Sequence, residues 1–201
     1  MMMLEELNRS LFLSINGPAD PGVAVLVFAR LCAVDLMLAV PLYLVVAWLR
    51  GGEGRRVILL EAALVCALGF LISAALGMLW MHPRPFMVPL GHTLMAHAPD
   101  SSFPSDHLTG IWSVAFSLLW HPKVRRAGMA LALLGLPVAW ARIYLGVHFP
   151  LDMVGAALVA VASVAVFHVV LPGAAGLLLP GVNAAYRWVF APLIRRGWVA
   201  Y

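Results

Sequence analysis

The chain has 201 residues, 63% hydrophobic and 11% charged, with a formal net charge of +4 and a mean hydropathy of +0.96. Soluble globular domains are about half apolar and a quarter charged, so the composition excludes a soluble fold and reads as one membrane-embedded domain over 1–201. The charge balance carries no nucleic-acid-binding pattern, and nothing in the composition signals an oligomeric state.

Residues 3–16 place Leu4, Leu7, Leu11 and Ile15 at helical spacing among Glu5, Glu6, Asn8 and Arg9. This pattern predicts a short amphipathic helix at the membrane interface, ended by Asn16-Gly17-Pro18. The opening MMMLEELNRS lacks a basic segment running into an apolar stretch, which argues against a cleaved signal peptide. Apolar runs at 22–49, 57–80, 105–120, 126–143 and 151–171 predict five spans, each near the length needed to cross a hydrocarbon core about 30 Å thick. A polar loop rich in Pro and His fills 81–103. The tail 182–201, with Tyr186, Trp188 and Trp198, reads as an interfacial anchor, while the run 171–194 leaves room for a sixth span. The expected fold is therefore an all-α integral membrane bundle of five transmembrane helices, or six, with an interfacial N-terminal amphipathic helix.

Orientation follows from Lys and Arg. Arg50, Arg55, Arg56, Lys123, Arg125, Arg126, Arg187, Arg195 and Arg196 are nine of the thirteen basic residues. With five spans they fall on one side, which should be cytoplasmic. The stretches HPRPF (82–86), FPSDH (103–107) and ARIYLGVHFPLD (141–152) then converge on the outer face.

These stretches hold two arginines, two histidines and a carboxylate, a set suited to phosphate-ester chemistry on a lipid. His148 and Asp152 are four apart, close enough for the carboxylate to fix the imidazole tautomer and free the other nitrogen for attack. His107, at the start of a span, can protonate a leaving oxygen. Arg84 and Arg142 present planar forks for phosphate oxygens. Ser105 and the free N–H groups beside it add donors at a helix N-terminus, and Gly146 permits a tight turn between Arg142 and His148.

With these residues in view, the chain resembles the type-2 phosphatidic acid phosphatases, relatives of the vanadium haloperoxidases. The family signature is K-x₆-R-P, P-S-G-H and S-R-x₅-H-x₃-D. Arg84-Pro85, Pro104-Ser105-Asp106-His107 and Arg142 through His148 to Asp152 match it in order and internal spacing. FPSDH and ARIYLGVHFPLD look most like the BcrC-type undecaprenyl pyrophosphate phosphatases within that family. The resemblance implies His148 as nucleophile forming a phosphohistidine, Asp152 as its orienting carboxylate and His107 as general acid. It implies Arg84, Arg142 and Ser105 as phosphate ligands, with no metal and no cofactor.

It also implies a polyprenyl pyrophosphate lipid as substrate, hydrolysed to the monophosphate carrier of cell-wall synthesis at the outer face of a bacterial inner membrane. Bacitracin, which sequesters that substrate, would be opposed. A phosphatidate or phosphatidylglycerophosphate phosphatase, or a lipid phosphotransferase, would use the same machinery. A transporter or structural membrane protein is the other class, disfavoured by the absence of inverted halves.

Three positions depart from the signature: Gly77 for Lys, Ala141 for Ser and Asp106 for Gly. His82 is a partial substitute for the missing Lys charge. Asp106 either raises the basicity of His107 or turns away as a backbone cap. Arg30 and Asp35, inside the first span, either pair with each other or leave Arg30 to line the site in place of the Lys. His92 and His97 read as ordinary loop residues, with metal or substrate contact as the alternative. His121 and His168 read as non-catalytic, and Glu61 as a boundary residue or a polar contact between helices. Cys32 and Cys66 read as buried thiols. Gly155, Ala156, Ala160 and Ala162 read as a helix-packing stripe.

Overall fold

The computed structural model describes residues 2–201. The described chain is all-helical: α1 (Met2–Ile15), α2 (Val23–Arg50), α3 (Glu53–Leu79), α4 (Asp106–Trp120), α5 (Arg125–Tyr144), α6 (Pro150–Val170) and α7 (Ala174–Arg195). The helices α2, α3, α5, α6 and α7 are long and apolar enough to cross a membrane. The third expected span is the exception. The helix α4 has only 15 residues, roughly 22 Å of rise, yet it is the hub of the bundle and packs against α3, α5 and α6.

Small residues allow this close packing, as expected where helices associate without a hydrophobic drive of their own. A Cβ at Gly69 of α3 would stand 2.5 Å from Ser113 Oγ of α4, and one at Gly128 of α5 would stand 2.7 Å from the Ala115 carbonyl oxygen. Trp112 Nε1 donates to the Ala132 carbonyl at 3.1 Å, tying α4 to α5. On α6, Gly155, Ala156 and Ala160 are buried, with the Phe103 ring seated against Gly155. Ala162, expected in the same stripe, faces outward.

The tail corrects the preferred reading and takes the alternative left open for 171–194. It forms the 22-residue helix α7, long and apolar enough to cross a membrane, where an interfacial anchor was preferred. Its contacts nevertheless stay at the end where the anchor was placed. Ala174 packs with Val65, Val164 and Phe167, Arg56 Nη1 donates to Asn183 Oδ1 at 3.4 Å, and the Arg56 guanidinium lies 4.3 Å over the Tyr186 ring. Ala200 N–H donates to the Leu49 carbonyl at 2.7 Å. Glu61 sits at the same end as a polar contact between helices, 2.7 Å from His121 Nε2 and 3.4 Å from His168 Nε2. Arg187 lies 3.6 Å from Glu53. The three basic segments therefore gather at one end of the bundle.

The helix α1 covers the other end with two distinct faces. Asn8 and Phe12 point inward and are buried, while Leu4, Leu7 and Leu11 are exposed, leaving the leucine stripe free for lipid. Phe12 packs on Phe149 with ring centroids 5.3 Å apart. Asn8 Oδ1 accepts the Leu151 N–H at 3.0 Å, satisfying a donor in the first turn of α6.

The irregular stretch of α2, a π turn at Leu31–Asp35 followed by a 3-10 turn at Leu36–Leu38, carries the second correction. Arg30 Nη2 donates to the Leu94 carbonyl at 3.1 Å, and no Arg30–Asp35 ion pair exists among the described residues. Arg30 supports the outer loop from its exposed position and does not join the arginine cluster described below. Cys32 and Cys66 are free thiols.

Candidate active site

The three motif stretches meet at the end of the bundle opposite the basic segments. The α5–α6 turn sets the first constraint. Gly146 has φ +81°, the left-handed region that only glycine enters without strain. A Cβ there would also run into the His92 carbonyl oxygen. This turn drops His148 beside the first turn of α6, where Pro150 starts the helix and Asp152 follows. The fixed φ of proline and its missing N–H suit that first position.

Asp152 Oδ2 is the focus of three donors: the Phe149 N–H at 2.7 Å, the Ser102 hydroxyl and His148 Nδ1 at 3.1 Å. His148 is 2% exposed and Asp152 1%. On the far side of the imidazole, Nε2 faces Arg84 Nη1 at 3.1 Å and Arg142 Nη2 at 3.4 Å. Guanidinium groups only donate, so Nε2 is the acceptor and Nδ1 carries the hydrogen. Burial, reinforced by Arg142, Arg84 and His97, pushes the His148 imidazole well below its ordinary range. The ring is neutral at physiological pH with its lone pair aimed between two cations, the arrangement expected of a nucleophile awaiting a phosphoryl group.

The arginines are held differently. Arg84 Nε donates to Asp100 Oδ1 at 2.8 Å, Nη1 to the Val147 carbonyl at 2.9 Å and Nη2 to the Ser101 carbonyl at 3.1 Å. Arg142 meets imidazoles: His97 Nε2 at 2.9 Å and His107 Nε2 at 3.3 Å. Its Nε is buried without a partner, as is Ser105 Oγ. Orphaned buried donors are costly unless a ligand satisfies them. Arg142 lies against His148 Nε2, and the Ser105 N–H donates to the Asp152 carbonyl at 3.2 Å, so both unpartnered donors belong to residues of the site and suit the oxygens of an anion. Two guanidiniums at one imidazole disfavour a bound cation on charge alone.

The structure thus brings together His148, Asp152, His107, Arg84, Arg142 and Ser105, each reached from sequence. Three other residues stand elsewhere. Asp106 neither caps the backbone nor faces His107; its Oδ1 accepts the Ser73 hydroxyl of α3 at 2.6 Å. His82 Nε2 lies 3.5 Å from Glu5 of α1 and its ring packs edge-on against Phe149, so it sits behind Asp152 and outside the arginine pair. Arg30 is tied to Leu94. Gly77, in the place of the signature Lys, faces Ser101, whose Cβ would be 3.5 Å from a Cβ at 77; no cation fills that place.

Sequence reasoning missed Asp100, Ser101 and Ser102, and read His97 as an ordinary loop residue with metal or substrate contact as the alternative. His97, Asp100, Ser101 and Ser102 contact both arginines and the carboxylate, whereas His92 engages Asn16 only through its backbone. No motif marks these residues. The spacing His-x₂-Asp just before the second motif was the one available signal.

Two apolar clefts flank the bundle. One, of about 260 Å³, runs between α2, α3 and α4 past Met37, Val40, Pro41, Phe70 and Gly110 and ends at His107. The larger, of about 440 Å³, lies between α2, α3 and α7 near Trp48 and Tyr186, remote from every motif residue.

The family model described as the PAP2 superfamily matches residues 58–174. An Escherichia coli (strain K12) protein named "Putative undecaprenyl-diphosphatase YbjG" is 38% identical over 98% of this chain and 99% of its own length. The undecaprenyl-diphosphatase BcrC of Bacillus subtilis (strain 168) is 32% identical over 77% of this chain and 79% of its own. Among solved structures, Aquifex aeolicus LpxE superposes with a TM-score of 0.62 at 24% identity, covering 80% of this chain and 93% of that one.

Proposed function

Because the chain belongs to the PAP2 superfamily, we propose that it hydrolyses undecaprenyl pyrophosphate to undecaprenyl phosphate and inorganic phosphate through a phosphohistidine on His148. The observation that carries this reading is the placement of His148, with Nδ1 on Asp152 and Nε2 between Arg84 and Arg142.

In the first step the Nε2 lone pair forms a bond to the terminal phosphorus, and the bond from that phosphorus to the bridging oxygen breaks. Arg84, Arg142 and the Ser105 hydroxyl donate to the phosphoryl oxygens as charge spreads over them. His107 gives its proton to the departing bridging oxygen. Its Nε2 faces Arg142 Nη1 at 3.3 Å, so it is the anionic substrate that lets this imidazole hold a proton in the complex. In the second step water attacks the phosphohistidine. Its proton passes to His107, inorganic phosphate departs and His148 is regenerated. No step calls on a metal.

Two observations favour the lipid diphosphate. The relatives named undecaprenyl-diphosphatases align over most of the chain. The apolar cleft ending at His107 offers a path for a prenyl chain leading away from the leaving-group side. The clustered basic segments would face the cytoplasm, which turns the site to the periplasm or exterior of a bacterial inner membrane and suits recycling of the cell-wall lipid carrier.

The test is phosphate release by the purified protein in detergent with EDTA. Undecaprenyl pyrophosphate, phosphatidate and phosphatidylglycerophosphate are compared, each with wild type and His148→Ala. Preference for the pyrophosphate, lost in the variant, is the expected result. Preference for a glycerophospholipid would overturn the substrate, activity abolished by EDTA would overturn metal independence, and turnover by His148→Ala would overturn the nucleophile.

A further inference from the structure

We propose that His97 and Asp100 are positioning residues that hold the two guanidiniums ready for phosphate, an inference resting on the reading of Arg84 and Arg142 as phosphate ligands. Neither residue belongs to a signature motif, yet both touch the cluster. The shortest contact Arg142 makes is to His97 Nε2, at 2.9 Å. Arg142 has no carboxylate or carbonyl acceptor among its side-chain bonds, and its Nε is unpartnered. Arg84 has three anchors, of which Asp100 is the shortest at 2.8 Å.

The choice of an imidazole for Arg142 has a physical reason. A carboxylate would orient the guanidinium but cancel much of the charge a phosphate needs. A neutral imidazole orients it and leaves the charge intact. His97 is built to be that acceptor. Its Nδ1 lies 3.1 Å from the Ala98 carbonyl, which takes the ring hydrogen and leaves Nε2 with a lone pair. Burial, together with Arg84 and Arg142, lowers its basicity despite the backbone bond and Asp100. Asp100 Oδ1 stands 3.8 Å from His97 Nδ1 and faces both His97 and Arg84, so one short loop sets the spacing of the two arginines. Asp100 is 62% exposed, so its negative charge is screened by solvent more than that of a buried carboxylate would be.

The experiment uses the full chain in detergent, as wild type, His97→Ala, His97→Gln, Asp100→Asn and His148→Ala, all checked for matching thermal unfolding. Binding of inorganic phosphate is read by calorimetry, and turnover of undecaprenyl pyrophosphate is read as separate kcat and KM. His97→Ala is expected to weaken phosphate binding and raise KM about tenfold, the loss of one charge-assisted bond. His97→Gln carries an amide oxygen at the reach of Nε2 and should stay within about threefold of wild type. Asp100→Asn should have the smaller effect, since two carbonyls still hold Arg84.

Phosphate affinity of His97→Ala within twofold of wild type would overturn the inference, and so would His97→Gln falling as far as His97→Ala. The His148→Ala control separates the two failures. Turnover there at the wild-type rate would overturn His148 as the nucleophile, while phosphate binding would still report on His97.

Discussion

Replacing Asp152 with Asn removes one negative charge while leaving the shape of the site intact. Three donors converge on Oδ2, and Oδ1 is buried without a partner. An asparagine therefore places its oxygen at the Oδ2 position and its amide at Oδ1, and the Phe149, Ser102 and His148 bonds persist as neutral ones. What is lost is specific to the reaction. Once His148 carries a phosphoryl group on Nε2 and a hydrogen on Nδ1, the ring is cationic, 3.1 Å from the carboxylate. At an effective dielectric of about 20, that attraction is worth roughly 5 kcal/mol before screening. Allowing about 1 kcal/mol for the neutral bond that remains, the barrier should rise by about 4 kcal/mol, or about 10³-fold in kcat. Asp152 contacts no phosphate-facing donor, so KM should change little. The assay is steady-state phosphate release with undecaprenyl pyrophosphate, paired with single-turnover reactions quenched in alkaline detergent, in which a phosphohistidine survives. A kcat within tenfold of wild type would refute the argument that the carboxylate stabilises a cationic intermediate.

Other outcomes follow from the same geometry. His148 is held below its ordinary range, so it stays unprotonated as pH falls through about 6.5; the acid limb of kcat/KM should lie below that value, and a limb at pH 7 or above would contradict it. Arg142→Lys cannot reach both the His97 and His107 sides with one ammonium and should lower kcat/KM about 100-fold, with Arg142→Ala no better. Gly146→Ala meets both a left-handed φ and the His92 carbonyl; it should destabilise the fold by about 2 kcal/mol and depress kcat by shifting His148, as read by thermal unfolding in detergent and by turnover.

The catalytic end was legible because its chemistry depends on short spacings. Pro150 starts a helix, Asp152 follows in its first turn, and His148 two residues before the helix must fall within reach of that carboxylate. The same logic placed Ser105 and His107 at the head of α4. The spans were legible from hydropathy, but their ranking was not. Burial of α4 on three sides lets 15 residues serve as the central helix, whereas hydropathy counts only length. The tail reads first as an interfacial anchor because its arginines, tyrosine and tryptophans suit a membrane surface, with a span over 171–194 as the alternative; Pro180 and Pro192 are accommodated inside α7, and tertiary contacts with Arg56, Trp48 and Leu49 hold the segment.

Asp106 and Arg30 expose a different limit. Each was weighed against its neighbours in sequence, and each found its partner on a remote element: Ser73, 33 positions away, and the Leu94 carbonyl, 64 positions away. Periodicity within one helix cannot report such pairings. His97 is the most instructive case, because a loop histidine has no periodicity to read at all. Its place is set by the closure of the 81–103 loop over Arg142, which depends on Arg84 being pinned by Asp100, Ser101 and Val147 together. An arginine with three anchors is a rigid post, and the loop fastened to it delivers His97 to an arginine that has no carboxylate or carbonyl to hold it. The functional cation is thus oriented by a neighbour that adds no opposing charge, and that neighbour is positioned by the one cation whose charge is partly compensated.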